Sequence, residues 1–216
     1  DARRVDGVFA MWYGKGPGVD RAGDALKHGN IYGSSALGGV LVVCGDDHGC
    51  VSSSMPHQSD SALAHFGMPV LHPANVAEYL EFGLYGWALS RFSGAWVGFK
   101  AISEVVESGM TVDLDAVPID FALPVPSEAF TSSQDLHVRR VDLPSLALES
   151  RAAEKLAAVR AFSRLNAVDK HIVSSPRATL GIVTVGKAHF DFMEVLRRLD
   201  LDPNALAAAG VRVYKV

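Results

Sequence analysis

Asp46, Asp47, His48, Cys50 and His57 follow directly on the apolar run Val40-Leu41-Val42-Val43. A short apolar run that ends in glycine and polar residues reads as a buried parallel strand opening into a loop. In open α/β sheets, ligands sit outside the carboxyl ends of such strands. The five side chains include every ligand type that a zinc or iron site uses, so a metal-dependent hydrolase built on Asp46, Asp47, His48 and His57 is one reading. Against it, the adjacent aspartates converge only if the loop folds back, and H-x-x-x-H and C-x-x-C spacings are absent, so no metal is expected. Imidazole titrates near neutrality, which makes His48 and His57 candidates for proton relay. A loop histidine bonded to neighbouring backbone is the open alternative for each.

A second polar segment lies upstream, where Val8–Tyr13 runs into Gly14-Lys15-Gly16-Pro17-Gly18-Val19-Asp20-Arg21. Glycines let backbone amides approach an anion closely, so this stretch could cradle a phosphate; a tight turn is the alternative. It lacks the GK[ST] ending of a P-loop and the spacing of a dinucleotide fingerprint. Arg21 and Arg91 are candidate carboxylate clamps through bidentate geometry. Arg91 falls at an expected helix C-terminus, where a cation is favoured in any case. Ser52-Ser53-Ser54 lacks the G-x-S-x-G elbow, which argues against a hydrolase nucleophile. Trp12, Trp87 and Trp96 read as packing residues.

The elements that would position these groups follow from pattern. Residues 5–13 and 39–44 read as strands joined by a Gly-rich loop, and a long loop inside a compact domain is often functional. Residues 69–73 form a short third strand. Asn75 then caps a helix with Glu78 in the capping-box position, and Val76, Tyr79, Leu80, Leu84 and Trp87 share one face. Gly94 ends that helix, and residues 95–99 form a fourth strand, parallel to the third through a right-handed crossover. Residues 117–144 hold Pro118, Pro124, Pro126 and Pro144 with little periodicity and read as a linker. A helix over 146–166 carries Leu156, Val159 and Phe162 in step. Ser174-Ser175-Pro176 interrupts the chain before a strand at 180–185 and a helix at 187–199 with Phe192, Leu196 and Leu199 inward. Asp202 and Pro203 start a short helix that Gly210 ends, and 211–216 is the last strand. The fold class is therefore α/β, a doubly wound, mostly parallel sheet followed by the start of a second Rossmann-like domain.

Composition narrows the partners. The 216 residues are 49% hydrophobic and 20% charged with a net charge of −4, ordinary for a globular protein. The basic residues are scattered, which gives no reason to expect nucleic acid or an anionic membrane surface. No stretch approaches the roughly 20 apolar residues that span a bilayer, and no signal peptide opens the chain. Cys44 and Cys50 suggest neither a disulfide framework nor an iron–sulfur site, and read as free thiols in a reducing cytoplasm. The chain begins without Met, enters an apolar segment almost at once and stops inside another, so a fragment of a longer polypeptide is expected. An open sheet edge makes a homo-oligomer one option.

Gly14–Arg21 (GKGPGVDR), Gly45–Gly49 (GDDHG) and His57–Asp60 (HQSD) resemble segments of indolepyruvate:ferredoxin oxidoreductases. These are thiamine-diphosphate-dependent 2-oxoacid:ferredoxin oxidoreductases, and the likeness is to the fused bacterial form. It continues through Pro73–Tyr79, Gly86–Arg91 and Gly181–His189 in the same order, and so spans nearly the whole chain. The resemblance implies that residues 1–115 form the later part of a pyrimidine-binding domain, 116–176 a linker and helix, and 177–216 the start of a transketolase C-terminal-like domain. It implies that Gly14, Lys15, Gly16, Gly18, Asp46 and Asp47 face the cofactor. His48, His57 and Arg21 become candidates to meet a 2-oxoacid carboxylate or relay a proton. The implied cofactors are thiamine diphosphate with Mg²⁺ and [4Fe-4S] clusters; the implied partners are ferredoxin, coenzyme A and the rest of the polypeptide. The cofactor-activating glutamate would lie upstream, and the Gly-Asp-Gly motif and cluster cysteines are absent. The isolated chain is therefore expected to bind none of these cofactors and not to turn over. A non-catalytic α/β interaction module is the alternative from another class.

Overall fold

The computed structural model describes residues 7–127, 136–139 and 145–216. Val5 and Asp6 of the first expected strand, and 128–135 and 140–144 of the expected linker, lie outside the described residues. In chain order the elements are β1 (Phe9–Lys15), α1 (Gly16–Tyr32), β2 (Gly39–Gly45), α2 (Asp60–His65), β3 (Val70–Leu71), α3 (Val76–Ser93), β4 (Val97–Lys100) and α4 (Ser103–Val106). They continue with α5 (Ala147–Leu165), β5 (Lys170–Val173), β6 (Leu180–Thr184), α6 (Ala188–Arg198), α7 (Pro203–Ala208) and β7 (Val211–Lys215).

The first four strands form one wholly parallel sheet in the order β1-β2-β4-β3. Val42 and Cys44 on β2 are fully buried against Val19 and Leu26 of α1 and Leu63 of α2. The alternate residues Leu41 and Val43 pack on the opposite face, with Phe82, Tyr85 and Leu89 of α3 and Phe162 of α5. Burial on both faces is why β2 reads as an unbroken apolar run. The sheet is thus doubly wound, as the sequence predicts.

Three local expectations are corrected. The Gly-rich segment between the first two strands is not a loop: β1 extends to Lys15 and α1 begins at Gly16, with Pro17 in its first turn. Proline is well suited there, because the amide it lacks has no helical partner. On α3, the buried face is Glu78, Phe82, Tyr85, Leu89 and Phe92, while Leu80 and Leu84 are exposed. This helix is apolar nearly all round, so its periodicity does not select the inward face. Its cap holds: Asn75 accepts from the Glu78 amide at 2.9 Å, and Gly94 closes the helix at φ +73°. On α6, Leu196 is buried but Leu199 is exposed just past the helix end.

Helix α5 docks through charge as well as through Val159 and Phe162. Buried Lys155 donates to the Asn30 and Ile31 carbonyls at 2.9 Å, and Arg151 donates to the Tyr32 carbonyl at 3.0 Å. Cations favour the negative end of a helix, and these supply donors to the last carbonyls of α1. The C-terminal sheet has the order β5-β7-β6, with β6 and β7 parallel and β5, a strand the sequence reading missed, antiparallel. Asp202 caps α7 by accepting from the Ala205 amide at 2.8 Å. Among the described residues, no helix is long and apolar enough to cross a membrane.

Candidate functional site

Parallel pairing brings the two polar segments together, because Lys15 on β1 is in register with Gly45 on β2 and Cys44 with Lys100 on β4. The carboxyl ends of β1, β2, β4 and β3 therefore gather Lys15, Asp46–His48, Lys100 and His72 along one edge. Asp60 and His57 enter from the loop that ends in α2.

At the centre is Lys100, 2% exposed. Its ammonium donates to Asp60 Oδ2 at 2.6 Å and His48 Nε2 at 3.1 Å, and lies 3.4 Å from Asp46 Oδ2. An ammonium only donates, so His48 Nε2 carries no proton here. Asp46 also accepts from the Ser59 amide at 2.8 Å and the Ser59 hydroxyl at 2.7 Å. These bonds tie the two ends of the 46–60 loop together. Burial works to raise the Asp60 carboxyl, but the Lys100 hydrogen bond and charge outweigh it and hold it below its ordinary value. The Cys44 thiol is pushed up to about 12, by burial first and then by the charge of Asp46.

Asp47 organises the loop tip. Its carboxylate accepts from the Val51 and Ser52 amides at 2.8 and 2.9 Å, and its carbonyl from the His57 amide at 3.0 Å. Those amide bonds hold its carboxyl below the usual range. Lys15 donates to the Ser52 carbonyl at 2.9 Å and sits 3.9 Å from Asp47. His57 pairs with Asp20 of α1 at 3.1 Å; its Nδ1, buried without a hydrogen-bond partner, lies 4.0 Å from Asp46. The His57 ring lies on Gly16, where a Cβ would overlap it.

The expected residues thus separate. His48, Asp46 and Asp47 converge on the loop, with Gly14 and Lys15 beside them on β1, and Gly16 and Gly18 in the first turn of α1. Arg21 is exposed on α1 and takes part in none of these bonds. Arg91 stacks over Phe9, its guanidinium 5.7 Å from the ring centre. Sequence reasoning missed Lys100, Ser59 and His72 as site residues. A lysine closing a buried apolar strand was the available signal for Lys100.

Asp46, His48 and Asp60 bring ligand atoms within 4.8 Å of one another. This differs from the set weighed from sequence, since Asp60 takes part while Asp47 and His57 are engaged elsewhere. Lys100 bridges the trio, so the chain supplies the positive charge itself. Beside the cluster, a cavity of about 520 Å³ opens between Tyr13, Lys15, Val43, Asp47, Ala101 and Val106.

No family profile matches the chain, and no curated protein shows a significant sequence match. Among solved structures, the fold is similar to that of 2-oxoglutarate:ferredoxin oxidoreductase from Magnetococcus marinus, determined with 2-oxoglutarate, coenzyme A and succinyl-CoA bound. The TM-score is 0.58 at 16% identity, and the match covers 95% of this chain and 41% of that one. At that identity the likeness establishes the fold, and the chain spans under half the length of its neighbour.

Proposed function

We propose that this chain is part of a thiamine-diphosphate-dependent 2-oxoacid:ferredoxin oxidoreductase, supplying walls of the pocket but not the catalytic base. The observation that carries the reading is the fold match across 95% of the chain, which takes in both sheets. The resemblance of the GKGPGVDR, GDDHG and HQSD segments, noted in the sequence, agrees with it. In this reading residues 1–115 are the later part of the pyrimidine-side domain, 116–176 the connection and 177–216 the start of the next domain. The substrate is an indolepyruvate-type 2-oxoacid, and electrons leave through [4Fe-4S] clusters to cytoplasmic ferredoxin as the acyl group passes to coenzyme A.

The lining of the 520 Å³ cavity suits an uncharged ring better than a diphosphate. Tyr13, Val43, Ala101 and Val106 offer apolar surface, while the charged residues are Lys15, Asp46, Asp47 and Glu107. Lys15 already serves Ser52 and Asp47. These residues do not fit a magnesium diphosphate, and that end of the cofactor is assigned to chain outside this segment. Gly14, Lys15, Asp46 and Asp47 then shape the ring side, with Gly16 and Gly18 holding α1 behind it. His48 and His57 remain candidates for proton relay and Arg21 for carboxylate recognition.

The test is coenzyme-A-dependent reduction of a viologen dye by the polypeptide that carries this segment with its flanking sequence. Indolepyruvate, 2-oxoglutarate and a branched 2-oxoacid are compared. Dye reduction that requires a 2-oxoacid supports the reading, and its absence from cofactor-loaded protein overturns it. Calorimetric titration of the chain alone with thiamine diphosphate and Mg²⁺ is expected to show no binding; micromolar affinity would refute the assignment of half the site elsewhere. One observation favours a non-catalytic module instead: the acids and bases of the cluster largely satisfy one another.

A further inference from the structure

The C-terminal sheet meets the first sheet at the segment linking β3 to α3. Lys215, the last residue of β7, ion-pairs with Glu78, and both are under 10% exposed. The other Glu78 oxygen accepts from the Ala74 amide at 2.8 Å, so one carboxylate joins the start of α3 to the second sheet. Six residues earlier, the His72 ring packs against Gly186 in the loop after β6. Gly186 has φ +53°, and a Cβ there would overlap the ring, so only glycine lets the backbone approach this closely. Thus pressed, His72 Nε2 is buried without a hydrogen-bond partner. Its ring meets His48 edge-on with centres 6.2 Å apart, and His48 accepts from Lys100.

A chain of contacts therefore runs from Gly186 through His72 and His48 to Lys100, Asp60 and Asp46, which close the 46–60 loop. A buried ring nitrogen left without a partner is unfavourable and persists only while its surroundings hold it. Moving the C-terminal sheet away would open Nε2 to water and free the His72 ring that backs His48.

We propose that the C-terminal sheet is a docked cap whose seating against His72 holds the 46–60 loop closed, so that loosening the cap loosens the loop. The coupling is reciprocal, because two parts that bias one equilibrium must bias each other. It does not rest on the oxidoreductase reading. No strand of one sheet pairs with a strand of the other among the described residues, so the cap can move without breaking a ladder.

Backbone hydrogen exchange followed by mass spectrometry tests this on the whole chain, with Lys215→Met, His72→Ala and the two combined. Lys215→Met is expected to speed exchange about tenfold in 180–189 and, with it, in 46–60. His72→Ala keeps the Glu78–Lys215 pair, so 180–189 loses less protection than in Lys215→Met. In that background Lys215→Met still frees the cap but changes 46–60 no further. Should Lys215→Met unfold the sheet by stranding Glu78, the paired change Glu78→Gln with Lys215→Met removes both charges and gives the same reading. A loosened cap with an unchanged loop overturns the proposal. So does a loop response that survives His72→Ala, or a cap that neither variant loosens.

Discussion

Lys100 donates to Asp60 Oδ2 at 2.6 Å, joining the end of β4 to the first turn of α2 across 40 residues of sequence. The same ammonium lies 3.4 Å from Asp46, whose side chain is fully buried, so one cation offsets two carboxylates. Lys100→Met strands Asp46 in the interior. Breaking a buried pair from one side costs about 3 kcal/mol, and urea denaturation should show a loss of that order. The smaller Lys100→Ala leaves Asp46, His48 and Asp60 free to hold a divalent cation. Zn²⁺ should raise the melting temperature of this variant and leave that of the wild type unchanged; equal shifts in both would show that Lys100 does not occupy the position.

Gly16 and His57 are in direct contact, and a methyl group at Gly16 would overlap the imidazole. Gly16→Ala should destabilise the chain by about 1–3 kcal/mol, the usual cost of overpacking. Combined with His57→Ala, most of the loss should return, because the methyl then fills the vacated space. Thermal denaturation of the two singles and the double checks this, and additive losses would place the defect in α1 itself.

Burial and the charge of Lys100 push His72 down to about 4. The folded state therefore binds fewer protons than the unfolded chain between the ordinary histidine value of 6.5 and about 4. Stability contributed by the neutral ring is present above 6.5 and is lost as pH falls through this window. Melting temperature should fall across it for the wild type and more shallowly for His72→Leu. Histidine ring signals followed by nuclear magnetic resonance should show His72 titrating well below the ordinary histidine value, near 4.

Lys155 is pushed down to about 7, by burial and then by the nearby Arg151. Here the unfolded chain binds the extra proton between about 7 and the ordinary lysine value of 10.5, so stability should rise as pH rises through that range. A neutral amine still donates two hydrogens, which serve the Asn30 and Ile31 carbonyls. Lys155→Met should flatten this rise while lowering stability throughout, since those carbonyls lose their donor. Denaturant titrations at pH 7, 8 and 9 measure both effects.

Much of the fold is legible in the chain because its signals are local. Asn75, Gly94, Asp202 and Pro203 mark helix ends through bonds or dihedrals confined to a few residues. The apolar run before Gly45 announces a strand covered on both faces, and β2 is one. Helix α1 reads as a loop because Gly16, Gly18, Gly23 and Gly29 disguise it. Several of these glycines serve close packing rather than flexibility, Gly16 against His57 and Gly29 against Trp96. The inward face of α3 was missed for the opposite reason, since residues on all its sides are apolar.

The candidate site was half visible. Asp46, Asp47 and His48 stand out beside a strand end, and their sequence neighbourhood alone marks them as polar groups on a sheet edge. That they serve Ser59, Val51, Ser52 and Lys100 could not be read, because those partners are chosen by how the loop closes.

The amino-acid sequence by itself determined most strands, the helices α3, α5, α6 and α7, and the edge on which polar residues collect, through hydrophobic runs and caps acting over a few residues. The tertiary structure alone decided that Lys100 stands between Asp46, His48 and Asp60 and that Gly186 rests on His72. Strand order β1-β2-β4-β3 sets the first meeting and the seating of the C-terminal sheet sets the second. Both depend on burying surfaces from segments far apart in the chain, where no short-range pattern specifies the partner.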